Sequence, residues 1–344
     1  MKKKRVLVAI SGGLDSSMAA KLLRDQGCEV LGVFLRLGLE KFQDEERARM
    51  ICQRLGIKFY PINLSSKFKK EVIDYFLDSY SQGLTPNPCI KCNQVIKFDE
   101  LIKLAGILGF DKVATGHYVK IIEKNGAFHL FRGRDESKDQ SYFLYRLNQE
   151  KLKKIIFPLG DYYKKDLRKM ALEEGIPFMD SESQDICFVP GDHNLFLEER
   201  LNLKPGLIKD WNSKEVLGEH RGLAFYTIGQ RKGVDIGAIG PLYVIKTDHS
   251  NNVLYVTDKK DDPALFNKKI RVKEFNWVTG EPRLPMLCTA ITRYGQKLQE
   301  CEIKKNEDGL EVAFSEPQRA LAPGQSVVFY FNNEVLGGGV MQKN

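Results

Sequence analysis

The segment Ser11-Gly12-Gly13-Leu14-Asp15-Ser16-Ser17 constrains this chain more than any other stretch. It joins an apolar run at 5–10, which reads as a buried strand, to a helical pattern at 16–26 with Met18, Leu22 and Leu23 on one face. A glycine-rich turn of this kind lets backbone N–H groups approach an anion, and the free N–H groups and dipole of the following helix favour negative charge. Ser11, Ser16 and Ser17 add hydroxyl donors. Asp15 does not suit bare phosphate, and a role in holding Mg²⁺ fits it better. The plain alternative is a tight turn capped by serine. Two commoner phosphate loops are excluded, because the chain has no Gly-Lys dipeptide and no G-x-G-x-x-G after the first strand.

Short apolar runs and helical patterns alternate over the first 120 residues. Strands are expected at 5–10, 29–35, 58–62 and 112–118. Helices are expected at 16–26, 44–55 (Met50, Ile51 and Leu55 inward), 68–80 and 99–109. This alternation predicts a parallel sheet covered on both faces, with ligands at the carboxyl ends of its strands. Asn125-Gly126 suits a type I′ turn, so residues 119–131 are expected to form a hairpin beside the sheet. Residues 145–175 read as helical and basic. From about 205, Gly and Pro become frequent and short alternating runs appear, which predicts small β-domains or barrels. The expected architecture is α/β: a parallel-sheet catalytic domain at 1–205, a small β-rich domain at 206–268 and a barrel-like domain at 269–344.

At 344 residues, two or three domains are expected, and the net charge, 53 − 45 = +8, leaves room for a local nucleic-acid surface. No apolar run approaches the roughly 20 residues that span a bilayer, so no membrane partner is expected. The basic start is followed by only five apolar residues, Val6 to Ile10, too few for a signal sequence, and the expected location is cytoplasmic.

Thr85-Pro86-Asn87-Pro88-Cys89-Ile90-Lys91-Cys92-Asn93 is a Pro-rich loop carrying C-x-x-C. Thiols at that spacing can share a metal or cluster, or form a redox pair. A zinc deaminase needs H-x-E upstream, but the first histidine is His117. A further cysteine, Cys187, stands in Ser183-Gln184-Asp185-Ile186-Cys187-Phe188-Val189. Cys28, Cys52, Cys288 and Cys301 lie in apolar patterns and read as core.

Together these motifs resemble a known family. The S-G-G-x-D-S loop is similar to that of the PP-loop ATP pyrophosphatases, which cleave ATP between its α and β phosphates. That loop, T-P-N-P-x-x-x-C-N, A-T-G-H-Y at 114–118, K-D-Q-S-Y-F-L at 138–144, I-C-F at 186–188 and Y-T-I-G-Q-R-K-G at 226–233 occur in the order found in the tRNA-specific 2-thiouridylases. The resemblance spans the whole chain. It implies an ATP-dependent enzyme that adenylates the C2 oxygen of the wobble uridine and replaces it with sulfur, acting on the tRNAs for Lys, Glu and Gln. The sulfur donor would be a cysteine desulfurase relay or sulfide.

Carried onto this chain, the resemblance implies an ATP site of Ala9, Ile10, Ser11, Gly12, Gly13, Leu14, Asp15 and Ser16, with Leu35 and Gly116. Cys92 matches the nucleophile and Cys187 the persulfide carrier. Asn87, Pro88 and Cys89 match the segment touching the target base. His117, Lys138, Asp139, Gln140, Arg293, Tyr294 and Gln325 match tRNA contacts.

Many members of the family carry Asp where this chain has Cys89. Cys89, Cys92 and Cys187 would supply three ligands of a [4Fe–4S] cluster whose open iron takes the donor sulfur, and the extra thiol favours that reading. The competing route is a persulfide on Cys187 resolved by Cys92 as a disulfide. Two other functions stand beside this one. A PP-loop synthetase for a small molecule would leave the three cysteines without a task. A non-catalytic RNA-binding protein would tolerate Asp15→Ala.

Overall fold

The computed structural model describes residues 3–39, 42–178, 186–189, 191–234 and 240–343. Ser183, Gln184 and Asp185 of the motif around Cys187 lie outside them. The chain begins with β1 (Arg5–Ala9), α1 (Leu14–Asp25), β2 (Glu29–Arg36), α2 (Phe42–Leu55) and β3 (Lys58–Asn63). Then come α3 (Ser65–Phe68), a π-helical stretch (Lys69–Asp74) and α4 (Tyr75–Ser81). Beyond the Pro-rich loop, α5 (Pro88–Cys92), a second π-helical stretch (Asn93–Phe98) and α6 (Asp99–Leu108) follow without a break. The half closes with β4 (Lys112–Ala114), the hairpin β5 (Val119–Lys124) and β6 (Ala127–Arg132), α7 (Gln149–Leu152), β7 (Ile155–Ile156) and α8 (Lys164–Glu173).

The first sheet has the order β3-β2-β1-β4-β7, with every pair parallel. Val6, Leu7 and Val8 are all fully buried, as expected of a strand covered on both faces. The chain leaves β1 toward β2 on one side and β4 on the other. This reversal opens a crevice at the carboxyl ends of β1 and β4, where open α/β sheets bind ligands. It lies where the glycine loop and the Thr115-Gly116-His117 segment emerge.

After α9 (His193–Glu198), the strands β8 (Gly206–Asp210), β9 (Val216–His220), β10 (Tyr243–Asp248) and β11 (Val253–Thr257) form a sheet of order β10-β11-β8-β9. The remaining strands are β12 (Phe266–Trp277), β13 (Met286–Ile291), β14 (Gln299–Asn306), β15 (Gly309–Arg319), β16 (Ser326–Phe331) and β17 (Glu334–Met341). They run β12-β15-β14-β13-β16-β17, and pairing of β12 with β17 closes a six-stranded barrel. Ile303, Val312, Val327 and Phe329 fill its core.

Four expectations need correction. The strand expected at 112–118 stops at Ala114, because Thr115, Gly116 and His117 turn away to line the crevice. Met50 is 51% exposed, while Ile51, Cys52 and Leu55 are buried, so the inward face of α2 is rotated by one position. Residues 145–175 are not one basic helix; α7 and α8 flank β7, which adds an edge strand to the parallel sheet. The hairpin forms with Asn125 and Gly126 both at positive φ, but it joins the barrel rather than the parallel sheet, through pairing of β6 with β17.

Asp139 sits where these parts meet. It is 8% exposed and accepts from Arg132 Nε at 3.0 Å, Gly133 N at 3.1 Å, Ser141 N at 3.2 Å and Ser141 Oγ at 2.9 Å. Its carboxylate is occupied within the fold, so an outward RNA contact from this side chain does not fit. Asp139→Ala would strand the Arg132 guanidinium and is expected to cost about 3–5 kcal/mol of stability, measurable by urea denaturation. A surface RNA contact would leave the midpoint unchanged.

Candidate active site

The glycine loop emerges from β1 and turns through Gly12, whose φ of 85° is left-handed. The loop is braced from within. Ser16 Oγ donates to Gly13 O at 3.1 Å and accepts from Ser11 N at 3.1 Å, and Ser17 Oγ donates to Gly13 O at 2.8 Å. Hydroxyls that bond this way hold the start of α1 open as an array of N–H groups.

Gly116, just beyond β4, packs against the same helix start. A Cβ there would lie 2.6 Å from the Asp15 carbonyl carbon and 2.8 Å from Ser16 N. Asp15 accepts from Tyr118 Oη at 2.7 Å and pairs with Lys164 Nζ at 3.2 Å. Lys164 opens α8, where its own N–H is capped by Asp135 Oδ2 at 3.0 Å. Burial and the neighbouring Asp15 carboxylate both push the Tyr118 phenol far up, so it stays a neutral donor.

A cavity of about 400 Å³ opens here. Ala9, Ile10, Ser11, Asp15, Ser16, Leu35 and Gly116, all expected in the nucleotide site, line it. His117, Gln140 and Cys187 line the same space, joined by Phe34, Asp44, Lys97 and Thr115. Gly12, Gly13 and Leu14 shape the loop without lining the cavity. The His117 ring is walled by Phe98 and Phe157, with Nδ1 2.7 Å from Thr115 Oγ1. Burial holds its pKa well below the ordinary histidine value, with the Lys97 charge adding to the effect, so the imidazole is neutral at pH 7. Gln140 also accepts from Tyr118 N at 3.2 Å.

The three expected sulfur ligands occupy different surroundings. Cys92 is 6% exposed, in an apolar cluster with Phe68, Phe76, Ile96 and Phe188. Burial pushes its thiol up to about 12; Lys97 pulls the other way, and Cys187 and Cys89 push further. The thiols are therefore within electrostatic reach of one another. Cys187 is exposed and faces the cavity, held by Phe188, whose ring packs edge-on against Phe68 at 5.8 Å and Phe76 at 5.2 Å. Cys89 is half-buried. Among the described residues, no three His, Cys, Asp or Glu side chains are grouped to hold a metal ion. Nothing in this arrangement adds support for a three-thiol cluster, and no chemistry below runs through one.

The other expected contacts ring the Pro-rich loop. Pro88 is the first residue of α5. Thr85 N donates to Pro323 O at 2.8 Å, and Gln325 Nε2 donates to Thr85 O at 3.0 Å, so Gln325 clamps this loop to the barrel. Tyr294 is 45% exposed and lies 4.5 Å from the Phe143 ring, beside exposed Arg293. Lys138 is half-buried and closes the 135–138 turn, its N–H donating to Asp135 O at 3.0 Å. Cys288 and Cys301 are buried cross-strand neighbours in the barrel, and Cys52 is also buried. Cys28 is only partly so.

Sequence reading missed Tyr118 and Lys164 as partners of Asp15, and Lys97 and Asp44 as cavity residues. Lys164 carries a signal, since it opens a helix, but in sequence it is one lysine among several in the basic stretch 145–175.

Comparison with known proteins agrees with this geometry. A family described as tRNA methyl transferase HUP domain matches residues 4–191. The tRNA methyl transferase PRC-barrel domain matches 194–258, and the aminomethyltransferase beta-barrel domain matches 267–341. The tRNA-specific 2-thiouridylase MnmA of Carboxydothermus hydrogenoformans is 42% identical over 99% of this chain and 98% of its own. That of Syntrophomonas wolfei is 43% identical over 98% and 99%. Among solved structures, an NMN synthetase from Francisella tularensis aligns with a TM-score of 0.34 and 18% identity over 55% of this chain and 69% of its own. Nearly full-length identity above 40%, with the HUP-domain match over residues 4–191, shows that the chain belongs to the tRNA-specific 2-thiouridylase family.

Proposed function

We propose that this chain is an ATP-dependent tRNA uridine 2-sulfurtransferase that makes 2-thiouridine at the wobble position. The observation that carries the reading is one cavity lined by the phosphate-loop residues Ser11, Asp15 and Ser16 together with Cys187, with Cys92 behind it. A small-molecule synthetase would need the nucleotide loop but would leave these thiols idle. The proposed division of the chain near 205 and 268 is supported by the change from a parallel to an antiparallel-rich fold.

A uracil carbonyl oxygen is a poor leaving group, so it must first be activated. Uridine O2 attacks the α-phosphorus of ATP, the bond to the β-phosphate bridge breaks, and pyrophosphate leaves. The N–H groups at the start of α1 and the serine hydroxyls receive the negative charge. Asp15 and Asp44 carboxylates fit Mg²⁺, which when bound would offset phosphate charge.

The sulfur step follows the persulfide route. The terminal sulfur of a Cys187 persulfide attacks C2; a C–S bond forms, the C–O bond breaks, AMP leaves with the electron pair, and the persulfide proton is released. The Cys92 thiol then attacks Cys187 Sγ, and its proton passes to the thiolated base. The S–S bond breaks, its electron pair stays on the sulfur now bound to C2, and 2-thiouridine is released. A Cys92–Cys187 disulfide remains, which a thiol reductant returns to two thiols. This balance calls for a persulfide-bearing donor of the cysteine desulfurase kind rather than sulfide, which cannot form a persulfide on a thiol without an oxidant. The uridine must leave its stack to reach the cavity, and the Phe143–Tyr294 ledge beside Asn87 offers aromatic faces to neighbouring bases. Unmodified tRNAs for Lys, Glu and Gln are the proposed substrates.

Cys92→Ala and Cys187→Ala are expected to lower 2-thiouridine formation by more than about a thousandfold while tRNA-dependent pyrophosphate release continues. Cys89→Ala should keep at least about a tenth of the activity, since the persulfide route gives Cys89 no obligatory task. Nucleoside chromatography of the product tRNA reads both, with iron and acid-labile sulfide assayed on anaerobically purified protein. About four irons per chain, lost with activity in Cys89→Ala, would refute the route. Gly116→Ala should raise KM for ATP about tenfold or more, because relieving a 2.6 Å backbone clash costs roughly 1–3 kcal/mol. Steady-state pyrophosphate release at varied ATP checks it.

A further inference from the structure

Lys97 lines the nucleotide cavity, yet neither its position nor its neighbours in sequence suggested it. Three acidic or basic side chains line that space apart from His117: Asp15, Asp44 and Lys97. The two carboxylates are already matched, Asp15 by Lys164 at 3.2 Å and Asp44 by Arg47 at 3.3 Å. Lys97 is half-buried, and among the described residues it has no hydrogen bond, ion pair or ring partner. A half-buried ammonium without a counter-charge is costly, and structures that keep one usually supply its anion from elsewhere.

The backbone explains how Lys97 comes to stand beside Cys92. The two are five residues apart, which on an α-helix places side chains about 140° apart at 100° per residue. Here the chain passes from α5 into a π-helical stretch, Asn93–Phe98. A π-turn bonds i to i+5, so it brings positions 92 and 97 toward one face, as an α-turn does for i and i+4. Such turns concentrate at functional sites. The side-chain charges agree with this placement, since Lys97 acts on both Cys92 and His117.

We propose that Lys97 is a further catalytic residue, whose ammonium grips the α-phosphate of ATP and of the adenylated uridine. The assignment rests on the adenylation chemistry proposed above. The phosphate loop at the start of α1 takes the leaving pyrophosphate, while Cys187 lines the cavity and Cys92, at the end of α5, stands behind it. The group that must sit between them is the α-phosphate, joined to pyrophosphate in one step and to uridine O2 in the next. An ammonium there offsets charge that builds on the phosphoryl oxygens as pyrophosphate leaves, and again on AMP as sulfur attacks C2.

The test compares wild type, Lys97→Met and Lys97→Arg on an unmodified transcript of tRNA for Lys. Single-turnover pyrophosphate release from γ-labelled ATP is measured beside tRNA binding and thermal denaturation. Lys97→Met is expected to slow pyrophosphate release by about a hundredfold or more, with tRNA affinity within about twofold, and Lys97→Arg should recover part of the rate. Because Met removes an unpaired charge and no ion pair, the melting temperature should hold or rise. A merely structural lysine would instead lower the melting temperature and weaken tRNA binding in step with the rate. Wild-type rates in Lys97→Met, or that parallel loss, would overturn the proposal. Absence of tRNA-dependent pyrophosphate release by the wild type would overturn the sulfurtransferase reading itself.

Discussion

Two residue pairs between β6 and β17, Phe131 with Glu334 and Leu130 with Val335, decide how the rest of this molecule is held. They make a hairpin that leaves the parallel sheet at Tyr118 part of the barrel sheet. His129 Nδ1 and Glu334 Oε1, 2.6 Å apart, reinforce the seam. The segment just before that hairpin carries Thr115, Gly116 and His117, so the nucleotide crevice and the barrel share one stretch of chain. A second tie runs from Thr85 to Pro323 and Gln325 and pins the loop that starts α5. The thiol-bearing α5 and the barrel are therefore held in register from two sides. That arrangement suits an enzyme that must hold a macromolecular substrate while presenting a single base to a buried centre.

The described residues around the cavity leave Lys97 without an anionic partner. Lys164 and Tyr118 hold Asp15, and Arg47 pairs with Asp44. His117 is kept neutral by burial. With these groups satisfied internally, the remaining positive potential comes from the N–H groups of α1 and from Lys97. A polyphosphate completes such a site, whereas a neutral ligand would leave the ammonium uncompensated.

Much of this was legible from local pattern. The glycine loop, the first three strand–helix units and the Asn125-Gly126 turn are set by contacts within a few residues, and they appear where periodicity places them. What periodicity could not show depends on distant partners. The hairpin goes to the barrel because β17, some two hundred residues later, offers it an edge. Residues 155–156 become a strand because β4 has a free edge beside them. Asp139, whose motif suggests an exposed contact, is drawn inward by Arg132 and Ser141. Lys97 was hidden for a different reason: helical reasoning assumes 100° per residue, and the π-helical stretch breaks that assumption at the residues that matter.

Several departures from local rules lie around the cavity. Gly12 is left-handed, Gly116 tolerates no side chain, the helix after Cys92 is wound as a π-turn, and Lys97 lacks a counter-charge among the described residues. Asn93 belongs with them: its amide nitrogen donates to Phe143 O at 3.3 Å, while its Oδ1 is buried with no partner among the described residues. Each departure costs stability that an idealised version of the fold would keep. They lie around the cavity where phosphate loop and thiols meet, while the barrel has irregularities of its own, with bulges in β12 and β16 and Glu274 at a φ of 48°. Strain placed this way is what a fold shows when binding, rather than folding, supplies the missing partners.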